Sequence, residues 1–314
     1  MIQVPDLSIV IPTYNHVDRL KVTIEQLALQ EGIERCEALV VNDGSTDETK
    51  AYLDSLTFDW LIPLHQENLG RSEARNAGIR QASANFILFL DSDIVLGPGY
   101  LKQQLAAQVA KPGIYFGNLY NIHFEQVELF LEVLKQSQKS GYLKEKLISF
   151  ETEDLLVNMA RYFQKWSMEG RVSWPCLTAA NFSVPKFLLE EAGPFDTTFT
   201  GWGVEDHEFA FRLKQVGGDC HFLEEIYGFH LDKAKGHIDI PLLVENLMYF
   251  YKKTKQHPEV RAYLEFVSGH NTLQELFRKT LGVEPRENLA DIYFRPYGHI
   301  KGKQVENVEG VKTI

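Results

Sequence analysis

The stretch 86-FILFLDSDI-94 sets five apolar residues directly against two carboxylates two positions apart. Residues 86–90 are too few for a core helix and rich in aromatic and aliphatic side chains, so they read as a buried strand. The strand therefore ends on Asp91-Ser92-Asp93. Two carboxylates at the end of a buried strand are costly to hold without partners. Two readings follow. One is a turn in which an Asp caps the next element. The other is a divalent cation, which takes hard oxygen ligands and keeps positions open for phosphate.

Working toward the N-terminus, the same alternation recurs. Residues 7–11 (LSIVI) and 38–41 (ALVV) are short apolar strands, and 60–64 is another short run. Between them Val17, Leu20, Ile24, Leu27 and Ala28 recur at helical spacing, Ser45 and Asp47 offer caps for a helix through Tyr52 and Leu53, and 72–82 reads as a helix. Strands in alternation with helices predict an α/β fold, Rossmann-like, with a mostly parallel sheet flanked by helices. Ligands collect at the carboxyl ends of such strands. Pro12-Thr13-Tyr14-Asn15, Asn42-Asp43-Gly44-Ser45 and Asp91-Ser92-Asp93 each follow a strand, so three polar clusters are expected on one edge.

Toward the C-terminus the pattern changes. Residues 125–171 are rich in Leu, Glu, Lys and Gln with no strong strand, and read as a mainly helical insertion at about 120–172. A short helix over 186–192, a Gly201-Trp202-Gly203 loop, a helix from about 205 to 216 and a last strand over 220–223 follow. Helical patterns at 242–251, 259–267 and 273–281 form a C-terminal extension, which divides the chain into a domain at 1–235 and an extension with tail at 236–314.

The 314 residues are 44% hydrophobic and 24% charged, enough for a large core without covalent staples. The net charge of −11 argues against nucleic acid as a partner. Three widely spaced cysteines make neither a CxxC pair nor a zinc spacing. With no basic leader and no long apolar run, the expected location is cytoplasmic, with peripheral association at the inner face of the membrane and a homo-oligomeric contact left open.

IVIPTYN, VVNDGSTDET, ENLGRSEARNAGI, FILFLDSDI and GWGVEDHEFAFRL occur in this order over roughly residues 5–232. Together they resemble the family-two glycosyltransferases of the GT-A fold. The last motif is similar to one shared by galactosyl- and N-acetylgalactosaminyl-transferase domains. The resemblance implies a nucleotide-sugar donor, UDP-sugar in type, and Mn²⁺ or Mg²⁺. It implies that Pro12, Tyr14 and Asn15 lie at the nucleotide base, with Asp43 accepting from the uracil imide. Asn68, Gly70, Arg75 and Asn76 would lie beside the diphosphate and ribose, Asp91 and Ser92 near the ribose, and Asp93 on the cation with Asp91 and His230. Asp206 would be the general base, Glu205 would bind hydroxyls, and Trp202 would present a face to a sugar ring.

Each position has a purely structural alternative. Tyr14 can be a core aromatic and Asp43 an Asx-turn. Arg75 can pair with the local carboxylates, Glu205 and Asp206 can satisfy a helix N-terminus, and His230 can be structural. His207 reads as orienting the base or touching the acceptor. The acceptor itself is not encoded in any motif: a glycan, lipid-linked sugar, peptide or small molecule would serve. Two rival functions share this plan. A non-catalytic nucleotide-sugar-binding protein would lack a base, whereas Asp206 is present. A nucleotidyltransferase would carry a glycine- and arginine-rich first loop where this chain has Pro12-Thr13-Tyr14-Asn15.

Overall fold

The computed structural model describes residues 4–123, 127–137, 151–152, 159, 163–164, 172–201, 203–232 and 239–285. Trp202, most of the expected 120–172 insertion and the tail after 285 lie outside the described residues.

The first half is built as the alternation predicts. Strands β1 (Leu7–Thr13), β2 (Cys36–Asp43), β3 (Leu61–Gln66) and β4 (Phe86–Phe89) alternate with helices α1 (Val17–Leu27), α2 (Thr49–Ser55) and α3 (Arg71–Gln81). β3-β2-β1-β4 are consecutive in the sheet and parallel throughout. β1 and β4 are covered on both faces, which explains their unbroken apolar runs. Leu7, Ile9 and Ile11 enter one core cluster and Val10 the other. Ser8, the polar interruption, is fully buried and donates to Glu37 at 2.5 Å while accepting from the Ala84 N–H.

The second half departs from simple alternation. β5 (Ile94–Leu96), α4 (Tyr100–Ala110), β6 (Ile114–His123), α5 (Val127–Ser137), β7 (Glu151–Thr152), β8 (Phe182–Pro185), α6 (Lys186–Ala192), α7 (Glu205–Gln215) and β9 (Cys220–Asp232) extend the sheet in the order β4-β8-β6-β9-β5. β8 runs antiparallel to both β4 and β6, and β5 antiparallel to β9, whereas β6 and β9 are parallel. The mixed sheet thus has a parallel half and a half into which antiparallel strands are inserted. One expectation was too short: the last strand runs over 13 residues rather than 220–223. β6 was not among the expected strands. Gly117 and the paired asparagines Asn118 and Asn121 interrupt its apolar pattern. The sheet accommodates them through a register shift at Gly117/Asn118, a side-chain bond from Asn118 to the Glu224 carbonyl, and one from the His230 ring to the Asn121 carboxamide oxygen.

The C-terminal helices α8 (Ile240–Lys253), α9 (Pro258–Val267) and α10 (Leu273–Leu281) form where the spacing predicts. They contribute Phe250, Val260, Tyr263, Phe266, Leu276 and Phe277 to the same cluster that holds Phe89 and Phe182 of the sheet. Trp174, fully buried, is the hinge of this packing: its ring meets Phe211, Phe250 and Tyr263 at 5.2–5.9 Å. Among the described residues no helix is long and apolar enough to cross a membrane.

Helix α3 sits unusually close to β1, because Gly78 faces Val10. A Cβ at Gly78 would lie 2.4 Å from the Val10 Cγ1. Gly78→Ala is therefore expected to lower stability by about 2 kcal/mol, read from urea denaturation. An unchanged midpoint would show that α3 can lift without cost.

Candidate active site

The carboxyl ends of β1, β2 and β4 bring the three polar clusters together, and each is tied to a neighbour through its own chemistry. After β1, Asn15 takes a left-handed backbone (φ 54°) that turns the chain toward the loop after β2. Its Oδ1 accepts from the Thr46 N–H at 2.7 Å, and its own N–H donates to Ser45 Oγ at 2.9 Å. Asn15, expected at the base, is thus the clasp between two loops. Pro12 is half-buried and pairs with Val41, while Tyr14 stands 44% exposed, an aromatic face left available at the edge.

Asp43 is buried and accepts three hydrogen bonds: Gln66 Nε2 at 2.7 Å, the Leu69 N–H at 2.9 Å and the Gly70 N–H at 2.9 Å. A carboxylate offers about four lone-pair sites, so one acceptor position is left for a ligand. These bonds anchor the 67–70 loop. Gly44 is required beside it: its φ is +72°, and a Cβ there would meet the Asn68 nitrogen at 2.6 Å. Asn68 and Gly70 are exposed at the rim, Gly70 just before the first turn of α3.

Arg75, on α3, is 3% exposed and joins the two acidic motifs. One guanidinium nitrogen reaches Asp91 Oδ1 at 3.0 Å, and another reaches Glu205 Oε1 at 3.1 Å. Its guanidinium carbon lies 5.4 Å from the centroid of the Phe195 ring. Arg75 thus pairs with the local carboxylates, one of its two readings. Burial alone would lower its pKa, but Asp91, Glu205 and Asp206 outweigh that and raise it, so the side chain is a fixed cation. Asn76, expected beside the diphosphate, is engaged elsewhere: its carboxamide donates to the Phe195 carbonyl at 2.9 Å and accepts from the Phe195 N–H at 2.8 Å. That pairing fixes the Phe195 ring beneath Arg75.

The two aspartates of Asp91-Ser92-Asp93 differ. Burial and the neighbouring Asp93 push Asp91 upward against the pull of Arg75. Burial also works against the charge on Asp93, but His230, with Arg19 and His16 behind it, holds it low, at about 2. Asp93 Oδ2 receives Arg19 NH1 at 3.1 Å and lies 3.4 Å from His230 Nε2. His230 arrives by register: β9 pairs it with Ile94 on one side and Asn121 on the other, and Asn121 Oδ1 lies 3.0 Å from its Nδ1. That contact leaves Nε2 as the nitrogen facing Asp93. Ser92 contributes its carbonyl, which accepts from Thr23 Oγ1 at 3.0 Å and seats α1 against the turn. Among the described residues no three His, Cys, Asp or Glu side chains converge as a metal cluster. Asp91 directs Oδ1 to Arg75, while Asp93 Oδ2 faces His230 Nε2. Arg19 went unread in the sequence, since a lone arginine on an amphipathic helix carries no local signal.

The second acidic motif opens α7 on a strained turn. Gly201 (φ +69°), Gly203 (φ +100°) and Val204 (φ +67°) are all left-handed, and for a β-branched valine that conformation is costly. Asn246 of α8 holds the turn from outside, donating to the carbonyls of Thr200 at 2.9 Å and Gly203 at 3.4 Å. The turn delivers Glu205 to Arg75, with Arg71 at 3.6 Å, and sets Asp206 partly open to solvent. Burial would raise the Asp206 pKa, but His207 and then Arg75 press it well below the ordinary carboxylate range. A carboxylate kept ionised and open at one face can accept a proton from an approaching hydroxyl.

The geometry agrees with what similarity to known proteins shows. The sequence profile of glycosyl transferase family 2 matches residues 8–165, and the chain belongs to that family. It is 32% identical over 278 residues to validoxylamine A glucosyltransferase of Streptomyces hygroscopicus subsp. jinggangensis, covering 82% of this chain and 62% of that protein. It is 26% identical over 284 residues to chondroitin synthase of Escherichia coli, covering 80% of this chain and 40% of that one. The chain thus spans less than two thirds of either relative. Among solved structures, GalNAc-T7 with UDP, GalNAc and Mn²⁺ superposes with a TM-score of 0.58 at 13% identity, over 91% of this chain and 56% of that one. The mannosyltransferase PcManGT of Pyrobaculum calidifontis with GDP-Man and Mn²⁺ superposes at 0.56 and 16% identity, over 83% and 70%. These likenesses show the GT-A fold.

Removing Arg75 strands two carboxylates against each other. Arg75→Met is expected to lower stability by about 3 kcal/mol. Arg75→Lys should recover only part of it, because an ammonium is a point charge that does not reproduce the planar fork. Denaturant midpoints of both variants provide the check; equal, small losses would show that the bridge is dispensable to folding.

Proposed function

We propose that this protein is an inverting, cation-dependent glycosyltransferase that moves a sugar from a UDP-sugar to a hydroxyl of an acceptor. The observation that carries the reading is the Asp91–Arg75–Glu205 bridge. It holds the strand-end carboxylates and the helix-start carboxylates on one edge, with Asp206 ionised beside them.

The residues present fit a divalent cation. Asp93 Oδ2 and His230 Nε2, 3.4 Å apart, make an oxygen-plus-imidazole donor pair suited to Mn²⁺ or Mg²⁺, with the remaining positions left to phosphate and water. When bound, the cation stabilises the charge of the departing diphosphate. Tyr14, Pro12 and the remaining acceptor position of Asp43 form the base side of the donor site. Asn68 and Gly70 border the diphosphate and Trp202 faces a sugar ring. Asn15, Asn76 and Arg75 act by holding these loops in place. Asp206 takes the proton of the acceptor hydroxyl as its oxygen attacks the anomeric carbon. The bond from that carbon to the phosphate oxygen breaks, and nucleoside diphosphate leaves with the electron pair. Attack from the face opposite the leaving group inverts the anomeric centre, and no covalent enzyme intermediate is involved.

The GWGVED resemblance, with a relative named a glucosyltransferase and a fold neighbour bound to UDP and GalNAc, favours a Gal, GalNAc, Glc or GlcNAc donor. A glycan, lipid-linked sugar, peptide or small molecule is the acceptor.

Asp93→Asn is expected to abolish Mn²⁺-dependent UDP binding in calorimetry; equal binding with and without Mn²⁺ would remove the cation from the proposal. Asp206→Asn should keep UDP affinity within about twofold and lose at least 100-fold in turnover, within the range for general-base removal. Near-normal transfer would move the base elsewhere. NMR of the product anomer tests inversion, and a screen of nucleotide sugars for Mn²⁺-dependent thermal stabilisation identifies the donor.

A further inference from the structure

Asp206 does not face the acceptor side alone. His207 Nδ1 lies 2.9 Å from Asp206 Oδ1, and the His207 backbone N–H donates to the same oxygen at 2.8 Å. His207 is 6% exposed, and the backbone of Pro175 is among the groups that favour its charged form. Proline has no N–H, so Pro175 can only accept. A carboxylate and a carbonyl as neighbours both favour the donor form of the imidazole. One face of the ring is stacked on Tyr263 of α9, with centroids 4.9 Å apart and planes 28° from parallel. Tyr263 is itself wedged against Trp174 and Phe250.

We propose that His207 is the positioning residue for Asp206, and that α9 sets His207 through Tyr263, so that the C-terminal helices act on catalysis through Tyr263, His207 and Asp206 in series. This rests on the reading of Asp206 as the base. Hydrogen bonds from the ring and from the backbone of His207 converge on Oδ1, so the carboxylate cannot rotate freely. Oδ2 is left as the oxygen that meets the acceptor.

The charged and titratable groups around the ring agree with this arrangement. Asp206 and Glu205 face it from α7, Tyr263 from α9 and the Pro175 carbonyl from the turn at 174–176; Arg75 of α3 acts on Asp206 from the other side. Burial alone would lower the His207 pKa, but Asp206 and the other partners raise it above 6.5. The sign is then fixed. A protonated ring favours the ionised form of Asp206. A neutral residue at 207 lets the Asp206 pKa rise, and the acid limb of the pH–rate profile moves to higher pH.

The test has two independent readouts. The first is ¹⁵N–¹H NMR of the His207 ring in the full chain. It should remain doubly protonated above pH 6.5, and both Asp206→Asn and Tyr263→Leu should lower its pKa by at least half a unit. A ring that titrates normally and ignores both changes overturns the proposal whatever the kinetics show. The second is UDP release from UDP-GalNAc with water as acceptor, followed against pH. His207→Leu should lose at least tenfold in kcat while Mn²⁺-dependent UDP affinity stays within twofold. His207→Asn, which keeps a donor near the Nδ1 position, should retain kcat within about threefold but shift the acid limb up by about one unit. Wild-type kcat and profile in His207→Leu, or equal losses in both variants with weakened UDP binding, would reduce His207 to packing and overturn the proposal. Full turnover in Asp206→Asn would instead overturn the base assignment, and the NMR readout then decides the ring contact separately.

Discussion

The buried guanidinium of Arg75 is the interaction on which the rest of the site depends. Carboxylates at the end of a strand and at the start of a helix repel one another, and neither set could be held near the other in a largely dry setting without a cation between them. Arg75 supplies it from α3, with its planar fork divided between Asp91 and Glu205. Two further features keep that fork in place. Gly78 lets α3 lie against β1, and Asn76, one residue along the helix, grips the Phe195 backbone so that the aromatic ring supports the guanidinium.

Around this bridge the loops are held by hydrogen bonds whose chemistry suits a ligand edge. Asn15 clasps the loop after β2, Asp43 gathers two backbone N–H groups of the 67–70 loop, and Thr23 and Arg19 press α1 against the Asp91-Ser92-Asp93 turn. The polar side chains are therefore largely preorganised by one another. The two aspartates of that turn are electrostatically unlike: one leans on Arg75, the other is held ionised by His230 and Arg19. That asymmetry suits a division between ribose and cation.

The C-terminal helices are part of this arrangement rather than an appendage to it. Asn246 braces the left-handed turn at 201–204, where Val204 stores strain. Trp174, Phe250 and Tyr263 fuse the extension to the core that backs α7. Packing of this kind lets a segment without a recognisable motif determine how the acidic residues of α7 are presented.

What the sequence by itself determined is local. Periodicity and turn residues located β1 to β4, α1 to α3, α7 and the three last helices. The polar tripeptides after each strand located the edge, because side-chain period and strand ends are written in neighbouring residues. What only the tertiary structure decided is partnership. Arg19 meets Asp93 across 74 residues, Asn76 meets Phe195 across 119, and Arg75 meets Glu205 across 130. Such pairs are set by strand register and helix packing, which no local pattern encodes. The same reason left β6 unread: Asn118 donates to the Glu224 carbonyl of β9, and Asn121 accepts from His230 of β9, partners that only the fold supplies. It also set the partners of Asn15 and Asn76, Thr46 and Phe195, which no local pattern names.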